Sequence, residues 1–175
     1  MRQSASSNGI GAAVRELYGV ARIVGLDVGE RRVGIAVSDA SGTLARPVTV
    51  LNVRALDATS VPLVAAALAR LADEDEPFVA VVVGLPTRLD GTPNAMTERV
   101  RVFAAALGAA VNRPVHLQDE RLTSREAESL LALREKDWRA RKKRLDAAAA
   151  AVILQDYLDA TSRSSMDTLM TDPNY

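Results

Sequence analysis

An α/β domain, with a mixed sheet flanked by helices on both faces, is what this sequence predicts, and three observations carry it. Between residues 21 and 160, apolar patterns of strand and helix period follow one another in the order β-β-β-α-β-α-β-α-α. The run Ile23–Val28 is apolar except at Gly25 and Asp27, as a central strand covered on both sides should be. Apolar residues make up 48% of the chain but aromatics only 3%, so small-residue helices must pack closely over that strand. At 175 residues the chain suits one domain with a full core.

The elements follow in order. Arg32–Asp39 alternates, with Val33, Ile35 and Val37 on one side and Gly34, Ala36 and Ser38 on the other. The turn Ala40-Ser41-Gly42 leads to a third strand near Thr43–Leu51, which Pro47 confines to an edge. A helix is expected over Val61–Asp73, with Ser60 as its cap and Val64, Leu68 and Leu71 on one face. Phe78–Val83 reads as a strand opening into the loop Gly84–Thr92. The next helix is expected to start at Pro93 with Thr92 as cap, burying Met96, Val100, Phe103 and Leu107. Pro114–Gln118 is a fifth strand, Thr123–Leu133 a helix, 134–144 a basic run and Leu145–Leu158 an alanine-rich helix. Residues 1–20 are expected to form a flexible extension and 161–175 a disordered tail, leaving 21–160 as the folded domain.

Composition excludes several chemistries. With no cysteine there are no disulfides, thiolate metal sites or cysteine nucleophiles. One histidine, His116, rules out a His-rich zinc site and leaves a Ser-His-Asp triad little support; it is expected on a strand surface or in the core. No apolar run approaches the roughly 18 residues of a membrane span, and no signal-peptide core is visible; a cytoplasmic location is expected. Net charge is zero, but residues 134–144 hold seven basic and two acidic side chains, leaving 15 basic against 20 acidic elsewhere. The neutral total hides one concentrated positive patch.

Asp27 is the awkward residue. A carboxylate inside an apolar strand costs several kcal/mol, on the order of known burial penalties, unless something pairs with it. In a sheet of this kind ligands gather at the carboxyl ends of parallel strands. Asp27 is late in its strand, and Glu120 lies just past the end of the fifth. Asp146 heads the stripe Asp146, Ala150, Ile153, Tyr157, at the start of its helix and facing inward. Three converging carboxylates would make an all-oxygen site suited to Mg²⁺ or Mn²⁺ and to phosphodiester hydrolysis by two ions about 3.5–4 Å apart. Two of the three have an ordinary alternative, Glu120 an ion pair with Arg121 or Arg125 and Asp146 a helix-start residue; Asp27 is the least easily explained as structure. Asp39 and Asp119 read as turn or supporting groups.

Four motifs carry a family resemblance. Gly25-Leu26-Asp27-Val28-Gly29, with Arg32, Gly34, Ala36, Ser38 and Asp39, resembles the opening motif of the YqgF/RuvX family. Val83-Gly84-Leu85-Pro86 with Asp90-Gly91-Thr92 resembles its second, and Asp119–Ser124 its third. Lys142-Lys143-Arg144-Leu145-Asp146, with Ala148, Ala149, Ile153 and Leu154, resembles its fourth. Residues 1–20 depart from the family, whose chains usually start just before the first strand. The resemblance implies a ribonuclease H-like fold with strand order 3-2-1-4-5 and a nuclease whose acidic residues fall on Asp27, Glu120 and Asp146. It implies 5′-end maturation of pre-16S rRNA or, in a competing description, resolution of Holliday junctions; the partner is then structured RNA or branched DNA.

The basic run fits such a partner. Arg139, Arg141, Lys142, Lys143 and Arg144 suit phosphates, and Trp138 either stacks on an unpaired base or packs on the domain. Thr87 and Arg88 either touch the substrate backbone or simply build a turn. Junction resolution needs two symmetric sites and hence a homodimer, whereas a monomer suffices for RNA trimming. Two other classes compete. Actin-like ATPases and sugar kinases share the Gly-x-Asp-x-Gly hairpin but need a second Gly-rich phosphate loop, and this chain has no Gly-Gly pair. A non-catalytic binding module has no reason to keep buried carboxylates.

Overall fold

β1 (Arg22–Val28) and β2 (Arg32–Ser38) form an antiparallel hairpin, closed by the Gly29 N–H donating to the Arg32 carbonyl at 2.8 Å. The structure is a computed structural model that describes residues 22–74, 77–88, 90–119 and 138–170, with side chains over 146–163 in the last stretch. The extension 1–20, Glu120 and the helix expected over Thr123–Leu133 lie outside the described residues.

β3 (Ala45–Asn52) pairs antiparallel with β2 and forms the sheet edge. Pro47 on that edge has no N–H to offer a further strand. β4 (Phe78–Leu85) runs parallel to β1 on its other side, and β5 (Val115–Asp119) parallel to β4. The order is β3-β2-β1-β4-β5, as the resemblance implies.

α1 (Ser60–Glu74) and α2 (Ala95–Val111) cover one face. Their Val61, Val64, Leu68, Val100, Phe103 and Leu107 are buried in one cluster with Val24, Leu26, Val33, Ile35 and Val37. α3 (Trp138–Met170) covers the other face, where Ala150, Ile153, Leu154 and Leu158 are buried with Ala36 and Val82. On β1 and β2, strand alternation assigns the two faces: Val24, Leu26, Val33, Ile35 and Val37 meet α1 and α2, and Gly25, Gly34 and Ala36 meet α3. The small residues are there for space. A Cβ on Gly34 would lie 2.1 Å from the Asp146 carbonyl oxygen, and one on Gly25 would lie 2.6 Å from the Leu154 Cβ. α3 therefore rests directly on the β1–β2 backbone.

Two helix starts differ from expectation. α2 begins at Ala95 and is capped by Asn94, whose side chain accepts from the Met96 and Thr97 N–H groups, while the Thr97 hydroxyl accepts from the Asn94 N–H. This reciprocal box satisfies more backbone donors than a Thr92 cap, and Pro93 instead forms a short bridge with Thr87. α3 already runs from Trp138 rather than starting at Leu145, so Asp146 lies inside a continuous helix and not at its positive end. α3 also runs on to Met170, past the 161 boundary set for a disordered tail. Residues 161–170 contain neither glycine nor proline, and the Thr161 hydroxyl donates back to the Tyr157 and Leu158 carbonyls. No helix among the described residues is long and apolar enough to cross a membrane.

His116 sits on β5 with its ring centroid 5.4 Å from that of Tyr157 on α3. It is half-buried, and burial lowers its pKa below the ordinary 6.5. A histidine depressed by folding binds fewer protons in the native state, so its contribution is complete above pH 6.5 and is lost as pH falls through the folded value. The stability difference between wild type and His116→Gln, read from urea midpoints, should shift against wild type between pH 7.5 and pH 5. A difference that stays constant over that range would show that His116 is not the group responsible.

Candidate active site

Asp27 is the penultimate residue of β1, opposite Gly34 of β2. Alternation puts it on the α3 face together with Gly25. It is part-buried rather than enclosed, because it lines a cavity of about 250 Å³ with Gly29, Glu30, Arg31, Arg32 and Asp146. The desolvation cost expected for a carboxylate within a central strand is reduced accordingly.

Asp146 reaches the same cavity from the opposite layer. Its backbone carbonyl packs on Gly34, which places its side chain over the β1–β2 hairpin. The Arg32 Nε lies 3.0 Å from the Asp146 Oδ2, with the two side chains 30% and 26% exposed. Solvent screening keeps such a pair modest in stability, about 1 kcal/mol or less. Glu30, in the hairpin turn, pairs with Arg99 of α2 at 3.3 Å, tying the rim of the cavity to the other helical layer.

The remaining expected site residues are placed as follows. Asp119 ends β5 beside Leu85 of β4, at the same carboxyl end of the parallel strands as Asp27. Glu120 follows it in sequence, outside the described residues. Among the described residues no three His, Cys, Asp or Glu side chains gather into a metal-type cluster; two of the three expected carboxylates share the cavity. Their hard oxygen donors fit Mg²⁺ or Mn²⁺, and His116 is engaged elsewhere with Tyr157.

The Thr87 hydroxyl donates to the Asp119 Oδ1 at 2.8 Å, tying the loop after β4 to the end of β5. Arg88 is exposed, and its backbone builds the turn through bonds to Thr92 and Gly91. Asp90 accepts from the Thr92 N–H and hydroxyl, which lower its pKa. Asp39 is likewise a turn residue, held ionised by the Leu44 and Thr43 N–H groups and the Ser41 hydroxyl. Trp138, Arg139, Arg141, Lys142, Lys143 and Arg144 occupy the first turns of α3, on the helix that carries Asp146; their side chains lie outside the described residues.

Arg32, like Glu30 and Arg31, is a cavity residue to which the sequence alone assigns no role. The signal was present: it precedes Gly34, Ala36 and Ser38 at intervals of two and so shares their face.

The sheet order, with carboxylates from its central strand and from the helix behind it, defines a ribonuclease H-like domain with an acidic candidate active site. The chain belongs to the RuvX family, whose model, described as "RuvX: Holliday junction resolvase", matches residues 21–160. Among its relatives is a protein of Pelotomaculum thermopropionicum, 37% identical over 81% of this chain and 89% of the relative. Others are proteins of Thermosynechococcus vestitus (40% identical, 84% and 93% covered) and Anaeromyxobacter dehalogenans (44% identical, 79% and 96% covered). All three carry the name "Putative pre-16S rRNA nuclease". In structure the chain is similar to Thermus thermophilus RuvC in complex with a Holliday junction substrate, at TM-score 0.45 and 18% identity over 76% of this chain and 91% of RuvC.

Proposed function

We propose that this protein is a metal-dependent nuclease that hydrolyses phosphodiester bonds in 5′-end maturation of pre-16S rRNA. The observation that carries the reading is the meeting of Asp27 and Asp146 in one cavity, brought there by separate elements about 120 residues apart in sequence. The names of the relatives support rRNA as substrate. Asp27, Asp146 and Glu120 would hold Mg²⁺ or Mn²⁺, as one ion or a pair. When bound, such ions supply activation of water and charge stabilisation of the leaving oxygen.

The chain's own residues do the rest. The β1–β2 hairpin fixes Asp27, the Gly34 contact fixes the height of Asp146 above the sheet, and the Thr87–Asp119 bond fixes the strand end from which Glu120 follows. The basic turns of α3 would receive the phosphate backbone beside this centre, through Arg139, Arg141, Lys142, Lys143 and Arg144, with Trp138 available to stack on a base. The family description favours a second reading, junction resolution by a homodimer.

One experiment separates them: full-length protein with Mg²⁺ is given a 5′-extended 16S transcript and a mobile four-way junction, with oligomeric state measured in parallel. Leader cleavage with the junction left intact is expected. Clean junction cutting by a dimer, with the leader untouched, would reverse the assignment.

A further inference from the structure

We propose that Arg32 is a resident counter-cation of the acidic site: it holds Asp146 while the site lacks a divalent ion, and passes to a substrate phosphate when Asp146 is taken. The inference rests on the metal-dependent reading above and assigns a role within it.

The pair is built into the fold. Arg32 and Gly34 lie two residues apart on the same face of β2, and the Asp146 backbone packs on Gly34. The strand–helix contact that sets α3 on the sheet therefore also sets the Arg32 Nε 3.0 Å from the Asp146 Oδ2. Both side chains line the cavity that Asp27 lines, and both keep over a quarter of their surface exposed. The guanidinium thus sits in the cavity wall, within reach of solvent.

Charge decides what such a residue does. Arginine stays protonated at every working pH, so Asp146 always has a cation beside it. A divalent ion approaching Asp146 must displace this charge or bear its repulsion. Arg32 should therefore weaken divalent-ion binding in the absence of nucleic acid. Once freed, a guanidinium suits a phosphodiester better than an ammonium would, because its planar fork matches two phosphate oxygens. Ion binding and phosphate binding are then coupled, each favouring the other.

The test is Mn²⁺ titration of the full chain without nucleic acid, with free Mn²⁺ read by electron paramagnetic resonance. Arg32→Gln is expected to bind Mn²⁺ on the order of tenfold more tightly than wild type, and Arg32→Lys, which keeps the charge, to stay near wild type. Cleavage by Arg32→Gln should then half-saturate at lower Mn²⁺ but with a lower maximal rate. Unchanged or weaker Mn²⁺ binding in Arg32→Gln overturns the counter-cation role. Tighter binding with an undiminished maximal rate overturns the transfer to phosphate. Wild-type protein that binds no Mn²⁺, or an Asp146→Asn variant that binds it as wild type does, overturns the metal-site reading and this inference with it.

Discussion

Asp27→Asn and Asp146→Asn are each expected to lower metal-dependent cleavage by on the order of 10³-fold or more, with the folded state retained. Asparagine keeps the shape of aspartate, and both side chains meet the cavity rather than the packed core. Asp146→Asn loses its ion pair with Arg32, a small loss at this exposure. Asp27→Asn removes one of three acidic side chains lining a cavity that also holds Arg31 and Arg32, so its thermal midpoint should stay close to that of wild type. Loss of activity with nearly unchanged stability separates a reactive carboxylate from a structural one. Full cleavage by either variant, or a midpoint lowered by many degrees, would remove that residue from the proposed centre.

Gly34→Ala should be more damaging than alanine at Gly25, Gly29 or Gly108. Its Cβ would stand 2.1 Å from the Asp146 carbonyl oxygen and 2.7 Å from the carbonyl carbon. Backbone cannot rotate aside as a side chain can, so α3 must lift from the sheet. Overpacking of this kind costs about 3 kcal/mol or more, roughly 6–12 °C in thermal midpoint for a domain this size. Because Asp146 rides on the displaced segment, cleavage should fall with stability. Gly29→Ala is the control: its Cβ would meet only the Arg32 carbonyl, at 3.2 Å, and the midpoint should move far less. A Gly34→Ala protein as stable as wild type would show that α3 does not rest on β2 as described.

The sheet was legible in the sequence because its signals are local and periodic. The alternation of Arg32–Ser38, the apolar run of Ile23–Val28 and Pro47 at an edge each act through near neighbours. Helix boundaries were less legible. Thr92-Pro93 is a good start signal, but Asn94 and Thr97 form a better one two residues on, and the choice turns on hydrogen bonds that only the folded loop defines. The inward stripe of α3 was visible, yet the helix already runs from Trp138, within a run of charge that hides its period.

Of the candidate site, Asp27 stood out by its apolar neighbours and Asp146 by its place on the stripe. Arg32 did not, because a basic residue beside a hairpin turn is ordinary until a helix from the far end of the chain sets a carboxylate beside it. Thr87 was legible as a loop residue but not as the partner of Asp119, a contact spanning 32 residues. What escapes the sequence is pairing across distant elements, and the acidic centre depends on that pairing.

The measurement that tests the centre most directly is an anomalous difference map from a crystal of the full chain grown with Mn²⁺. The expected result is a peak bonded to carboxylate oxygens of both Asp27 and Asp146, at about the 2.0–2.2 Å typical of small hard cations, with Arg32 drawn away from Asp146. Mn²⁺ bound elsewhere, with the Arg32–Asp146 pair intact and the cavity holding no ion, would contradict it.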